Sequence, residues 1–196
     1  LKIEAGNGII VANAVEATTA DLLLDAQGGD LAINATVDAA GNASLLSSAN
    51  VTQSADGDVT VGGTLDVNAQ GGDISMTDGA ISAATGNLRY LATGDIRLAS
   101  LNGANVLVNA GGSIIDNGEA DVDVIATTAQ LIAGTSIGEA AGTNNGPIET
   151  TVGTLAASAG TGNIYLSETD DLTIGSVAAI DVLRVNIDST TTNQAG

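Results

Sequence analysis

A short phrase recurs along this chain: small or polar residue, Gly, Asp or Asn, apolar, any, apolar. It reads Gly28-Gly29-Asp30-Leu31-Ala32-Ile33, then Asp56-Gly57-Asp58-Val59-Thr60-Val61, then Gly71-Gly72-Asp73-Ile74-Ser75-Met76. It returns as Thr85-Gly86-Asn87-Leu88-Arg89-Tyr90, Thr93-Gly94-Asp95-Ile96-Arg97-Leu98 and Thr161-Gly162-Asn163-Ile164-Tyr165-Leu166. Each copy reads as a turn feeding a strand: glycine supplies positive φ, Asp or Asn closes the turn, and the alternation defines one buried face. Such self-similarity points to stacked repeats, because one copy alone cannot bury its apolar face.

A second phrase gives the period. Leu22-Leu23-Leu24-Asp25-Ala26-Gln27 runs into Gly28-Gly29-Asp30, and Leu65-Asp66-Val67-Asn68-Ala69-Gln70 runs into Gly71-Gly72-Asp73. Looser copies place starts at 1, 22, 43, 65, 88, 106, 131, 155 and 183, the last on Leu183-Arg184-Val185-Asn186. The steps, roughly 18 to 28 residues, match one coil of a β-helix. The expected fold is therefore all-β: a right-handed parallel β-helix, or β-solenoid, of roughly nine coils. At ~4.8 Å per coil its length would be about 40 Å. The expected inner ladder includes Leu22, Leu24, Leu31, Ile33, Leu65, Val67, Ile74 and Met76. With Tyr90 and Tyr165 as the sole aromatics, the core should be narrow and aliphatic. Asp25, Asn68, Asn109 and Asn186, recurring after strands, are expected to stack as a structural polar ladder at a turn.

No window carries a clean helical stripe. The expectation is one solenoid segment over residues 1–196, more regular over 1–112, with a longer loop near 138–147 around Pro147. The first residues are already a repeat phrase, without Met and without a basic region leading into an apolar stretch. They read as a mature fragment or a piece of a longer chain. Neither end reads as a cap, so further coils or end-to-end copies are the expected neighbours.

Composition narrows the chemistry. Four Lys and Arg stand against 23 Asp and Glu, for a net charge of −19. That balance offers no footprint for nucleic acid and repels anionic lipid. No apolar run is long enough to span a membrane, so membrane insertion is not expected. There is no cysteine and no histidine, which removes thiolate and imidazole ligands, thiol nucleophiles and the commonest general base. Paired carboxylates remain, but Asp56 and Asp58 belong to the turn phrase, and sugar-stacking aromatics are lacking. The expectation is a protein that is not an enzyme. No cofactor is expected, calcium being the one candidate ion. Its candidate ligands are Glu119, Asp121 and Asp123, which alternate along Glu119-Ala120-Asp121-Val122-Asp123-Val124 and would share one face of a strand. Asp116 and Asn117 precede them, and Glu168, Asp170 and Asp171 form a second acidic cluster. A solvated acidic face is the competing reading.

The phrase Leu65-Asp66-Val67-Asn68-Ala69-Gln70-Gly71-Gly72-Asp73-Ile74 resembles the repeats of filamentous haemagglutinin-like proteins, giant β-helical surface adhesins of Gram-negative bacteria. Gly134-Thr135-Ser136-Ile137-Gly138, Pro147-Ile148-Glu149-Thr150-Thr151-Val152-Gly153-Thr154-Leu155 and Gly162-Asn163-Ile164-Tyr165-Leu166-Ser167-Glu168 resemble segments of such exoproteins. The family's N-terminal secretion domain is not visible, and there is no Arg-Gly-Asp triplet to carry over. The resemblance implies an extracellular or cell-surface location and a structural role in a filament or adhesin. One alternative is a binding module for a glycan or partner protein with calcium-stabilised acidic clusters. A polysaccharide-active β-helix enzyme is the other.

Overall fold

The computed structural model describes residues 1–118, 121–140 and 145–196. No helix forms among them. The chain winds through about eight turns of a β-solenoid whose short strands stack in parallel on three walls. The first wall aligns Leu22, Ala43, Leu65, Leu88, Val106, Ala129 and Leu155, one residue per coil. Coil lengths read along this row are 21, 22, 23, 18, 23 and 26 residues. The second wall aligns Ile9, Leu31, Val51, Ile74, Ile96, Ile114, Ile137 and Ile164. The third aligns Val15, Val37, Val59, Ser82, Leu101, Val124, Thr150 and Glu168.

These rows form the core. All eight residues of the expected inner ladder are at most 1% exposed. On the first wall the alternation yields two inward columns of large aliphatics and a third of small residues at the corner, Ala26, Ser47, Ala69, Ala92, Ala110 and Ala133. The corner column must be small because the chain bends there and the walls converge. One large ring enters the core after all. Tyr90 occupies the Val67 column, fully buried, opposite Ser82 of the third wall. Its hydroxyl lies 2.7 Å from Ser82 Oγ and donates to Gln53 Oε1, while Gln53 Nε2 donates to the Ile81 carbonyl. A polar row inside the core is thus closed on itself, as buried polar groups require. Burial holds the Tyr90 hydroxyl well above the usual tyrosine range, against the smaller opposing effect of Ser82.

The glycines work differently from the sequence expectation. Among the described residues, positive φ belongs to Gly79, Gly118, Gly138 and Ser189, not to the repeating corner glycines. Close approach is the reason for those. A Cβ on Gly134 would run into the carbonyl oxygen of Gly111, and one on Gly160 into that of Gly134. Gly134→Ala is therefore expected to cost about 1–3 kcal/mol by forcing coils apart. Urea denaturation checks this; an unchanged midpoint would show that the corner yields freely.

The polar ladder also lies elsewhere. Asp25, Asn68 and Asn109 do share a row, but Leu46 and Leu91 alternate with them, so they never stack on one another. The continuous ladders run at the corners. Asp30 Oδ1 accepts the backbone N–H of Asn50, Asn50 Oδ1 that of Asp73, Asp73 Oδ1 that of Asp95, and Asp95 Oδ1 that of Ser113. At the next corner Asp21 Oδ1 accepts the Asn42 N–H, and Asn42 Oδ1 accepts the Thr64 N–H. Where the backbone turns away from the parallel ladder, a side-chain oxygen supplies the missing acceptor.

From the fifth coil on, the third wall runs straight into the first. Single strands Ser100–Ala110, Val124–Ala133 and Ile148–Ala159 cover both walls. The phrase at 183, expected to open a ninth coil, does not. Val182–Val185 pairs antiparallel with Thr191–Gln194, so the polar residues Thr191–Gln194 form the second strand of a hairpin. After Asn186 no glycine permits the close corner; instead Asp188 Oδ1 accepts from Thr190 N–H and Oγ1, fixing a turn at Ser189. Asn186 bonds to Thr190 and Thr192 within that hairpin.

The hairpin lies on the outside of the first wall. Val185 packs with Leu23 and Leu46. Backbone N–H groups of Leu183 and Val185 donate to Thr64 Oγ1 and Ser44 Oγ, and Asn87 Nδ2 donates to the Asp181 carbonyl. Beneath it Asp66 is fully buried. Arg89 donates from Nε and Nη2 to Asp66 Oδ1, and Arg184 Nε donates to Oδ2 at 2.7 Å.

Candidate functional site: a corner of three carboxylates

The corner between the second and third walls accumulates acid in the sixth and seventh coils. Asp116 ends the strand Ile114–Asp116 and takes the inward slot that Leu98 fills one coil earlier, where it is 1% exposed. Asp123 immediately precedes the strand Val124–Ala133, and Glu149 holds the equivalent place one coil on, beside Thr150. This is the third corner ladder: Asp123 Oδ2 accepts the Glu149 N–H at 2.9 Å, as Asp58 Oδ1 accepts that of Ile81. The carboxylates of Asp116, Asp123 and Glu149 lie within 4.8 Å of one another.

Asp116 is held by backbone amides, Oδ1 accepting from Gly118 and Oδ2 from Gly146. The nearby guanidinium of Arg97 spends its Nη1 on the Asp116 carbonyl and on Asn145 Oδ1. The ion pairs of Arg89 and Arg184 both fall on Asp66 instead. Burial, followed by the negative charge of Asp116, pushes the Glu149 carboxyl above its ordinary range, with the Asp123 side chain opposing. A raised carboxyl stabilises the fold when protonated. That contribution is complete below the usual glutamate range and is lost as pH rises through the raised value. At neutral pH the corner works against the fold, so Glu149→Gln is expected to raise the melting temperature at pH 7 and to leave it nearly unchanged at pH 4. Thermal melts at the two pH values check the sign; destabilisation at pH 7 would refute it.

Of the residues singled out by sequence as calcium ligands, Asp123 sits in this corner. Asp121 is exposed and Glu119 lies outside the described residues. The strand starts at Val124, so strand alternation does not govern Asp121 and Asp123. The loop read near 138–147 has residues 141–144 outside the described ones; its edges meet where Glu139 N–H donates to the Gly146 carbonyl. In the second acidic cluster, Glu168 accepts from Thr150 Oγ1 and the amides of Val152 and Thr169, while Asp170 and Asp171 face solvent. Sequence reasoning missed Glu149, although its place one residue before Thr150 matches that of Asp58 before Val59 on the third wall.

The corner supplies up to six carboxylate oxygens from two coils, a donor set suited to a hard cation such as calcium. No helix among the described residues is long and apolar enough to cross a membrane. In comparisons with known proteins, no family model matches the chain, and neither a curated protein nor a solved structure matches it significantly.

Proposed function

We propose that this chain is a structural segment of a long extracellular filament or adhesin of the filamentous haemagglutinin type, at the surface of a Gram-negative bacterium. It would serve as a stiff rod and not as an enzyme. The observation that carries the reading is the coil-to-coil register: three parallel walls and three corner ladders in which neighbouring coils hydrogen-bond to each other. Stability in such an array sums over neighbouring contacts, so stiffness grows with the stack. A charge of −19 keeps rods apart sideways and leaves the axial direction for contact. The first-coil strands pair on one side, with Leu1, Ile3 and Ile10 exposed. In this reading their other neighbour is a further coil, of the same chain or of a copy.

The test is cryo-electron microscopy of the purified protein or its native source. A filament with a layer line near ~4.8 Å along its axis is the expected result. Separate particles whose first-coil amides exchange as slowly as those of the middle coils would overturn it. A second reading, a glycan- or protein-binding module with calcium-pinned coils, is favoured by the Asp116–Asp123–Glu149 corner. It predicts that calcium raises the melting temperature of the parent but not of Glu149→Gln; no response in the parent would dismiss the calcium part.

A further inference from the structure

At the C-terminal hairpin, residues near the end of the chain meet early coils through side chains. Asp181, Leu183 and Val185 sit successively over Asn87, Thr64 and Ser44, so the strand descends the rod and crosses the wall strands at a steep angle. The Ala195 carbonyl returns to accept from Arg89 Nη1, and Gly196 N–H donates to Asp181 Oδ1. The segment leading in starts at Ile174, which pairs with Leu155, four coils beyond Leu88. Four coils are ~19 Å, and the seven residues from there to Asp181 reach ~23 Å when extended. The tether is nearly taut.

The docking face is built for what it holds. Asp66 is fully buried, yet its Oδ2 meets no wall cation; Arg89 takes Oδ1 with its Nε and Nη2. Oδ2 is completed by Arg184 from the hairpin. Ser44 and Thr64 offer hydroxyl acceptors to two hairpin amides, and Leu23 and Leu46, outward apolar residues on a wall facing away from the core, receive Val185. Two of the four cations in a chain of charge −19 converge on this single aspartate.

We propose that the outer face of the first wall at Ser44, Thr64, Asp66 and Arg89 is a binding site for an antiparallel hairpin bearing a central arginine. Its occupant is the chain's own residues 180–196, held as a separable clasp by recognition and not by the tether. Closing the clasp ties the third to fifth coils to the end of the stack; opening it bares an aspartate–arginine face flanked by leucines.

The test keeps the full chain and installs a site-specific protease sequence between Gly175 and Ala179. After cleavage, the hairpin fragment is expected to co-migrate with the solenoid in gel filtration at one fragment per solenoid, whether the solenoids run singly or stacked end to end. Arg184→Ala is expected to weaken retention by more than tenfold, since a hydrogen bond to a charged group is lost. Val185→Asp, which leaves Asp66 untouched, is expected to do the same by placing a carboxylate against Leu23 and Leu46. Prompt loss of the parent fragment would show that the tether alone holds it and would overturn the proposal.

Discussion

Val67→Asp is expected to disrupt the rod around its fourth coil. Val67 lies 1% exposed between Leu45 and Tyr90 in the inward column, with no partner there for a carboxylate. A fully buried carboxyl escapes by taking a proton, and shifts of 3–5 pKa units put that cost near ~4–7 kcal/mol at neutral pH. This is comparable to the whole stability of many domains. Because each coil leans on its neighbours, the loss should concentrate there. Amide exchange over residues 60–76 should become fast while residues 22–33 lag behind. Exchange over 60–76 as slow as in the parent would refute the inward assignment.

Its neighbour in sequence is expected to fail in another place. Asp66 points outward, and Asp66→Ala removes the carboxylate on which Arg89 and Arg184 converge. Two guanidiniums would then face each other under the hairpin. Breaking a buried pair by deleting one partner costs about 3–5 kcal/mol, chiefly through the charge left behind. The expected signature is rapid exchange over residues 180–196 with the inner columns still protected. A hairpin as protected as in the parent would show that the ion cluster contributes little to its docking.

These two residues also show what sequence can and cannot deliver. Alternation in Leu65-Asp66-Val67 declares that the two side chains face opposite ways, and the recurrence of the phrase declares that Val67 has a like neighbour above and below. Fold class, period and inner ladder follow from those local signals. The seventh start was legible within two residues, at 131 where the register places Ala129, because a two-residue slip keeps the same face inward. What Asp66 meets was not legible, since Arg184 is 118 residues away and is brought there by a hairpin that departs from the repeat. The same holds for the acidic corner: Asp116, Asp123 and Glu149 become neighbours only when coil register is known. The glycines mislead for a different reason. Turn chemistry suggests positive φ, whereas stacking at a corner demands the absence of a Cβ, and the two requirements leave the same letter in the sequence.

The nearly taut segment between Ile174 and Asp181 makes the hairpin a ruler. Lengthening by duplication is easy for a solenoid, since a copied coil finds matching neighbours on both sides. Ahead of Leu23, the earliest residue that packs against Val185 of the hairpin, this chain has that freedom. Between Leu88 and Leu155 it has little: one added coil would raise the span to ~24 Å, at the limit of the ~23–25 Å that seven residues reach when fully extended. Descendants of this sequence can therefore gain coils at the front without penalty, while a gain behind the hairpin's landing place pulls the tether to full extension, and any further one needs a longer tether or the loss of the hairpin.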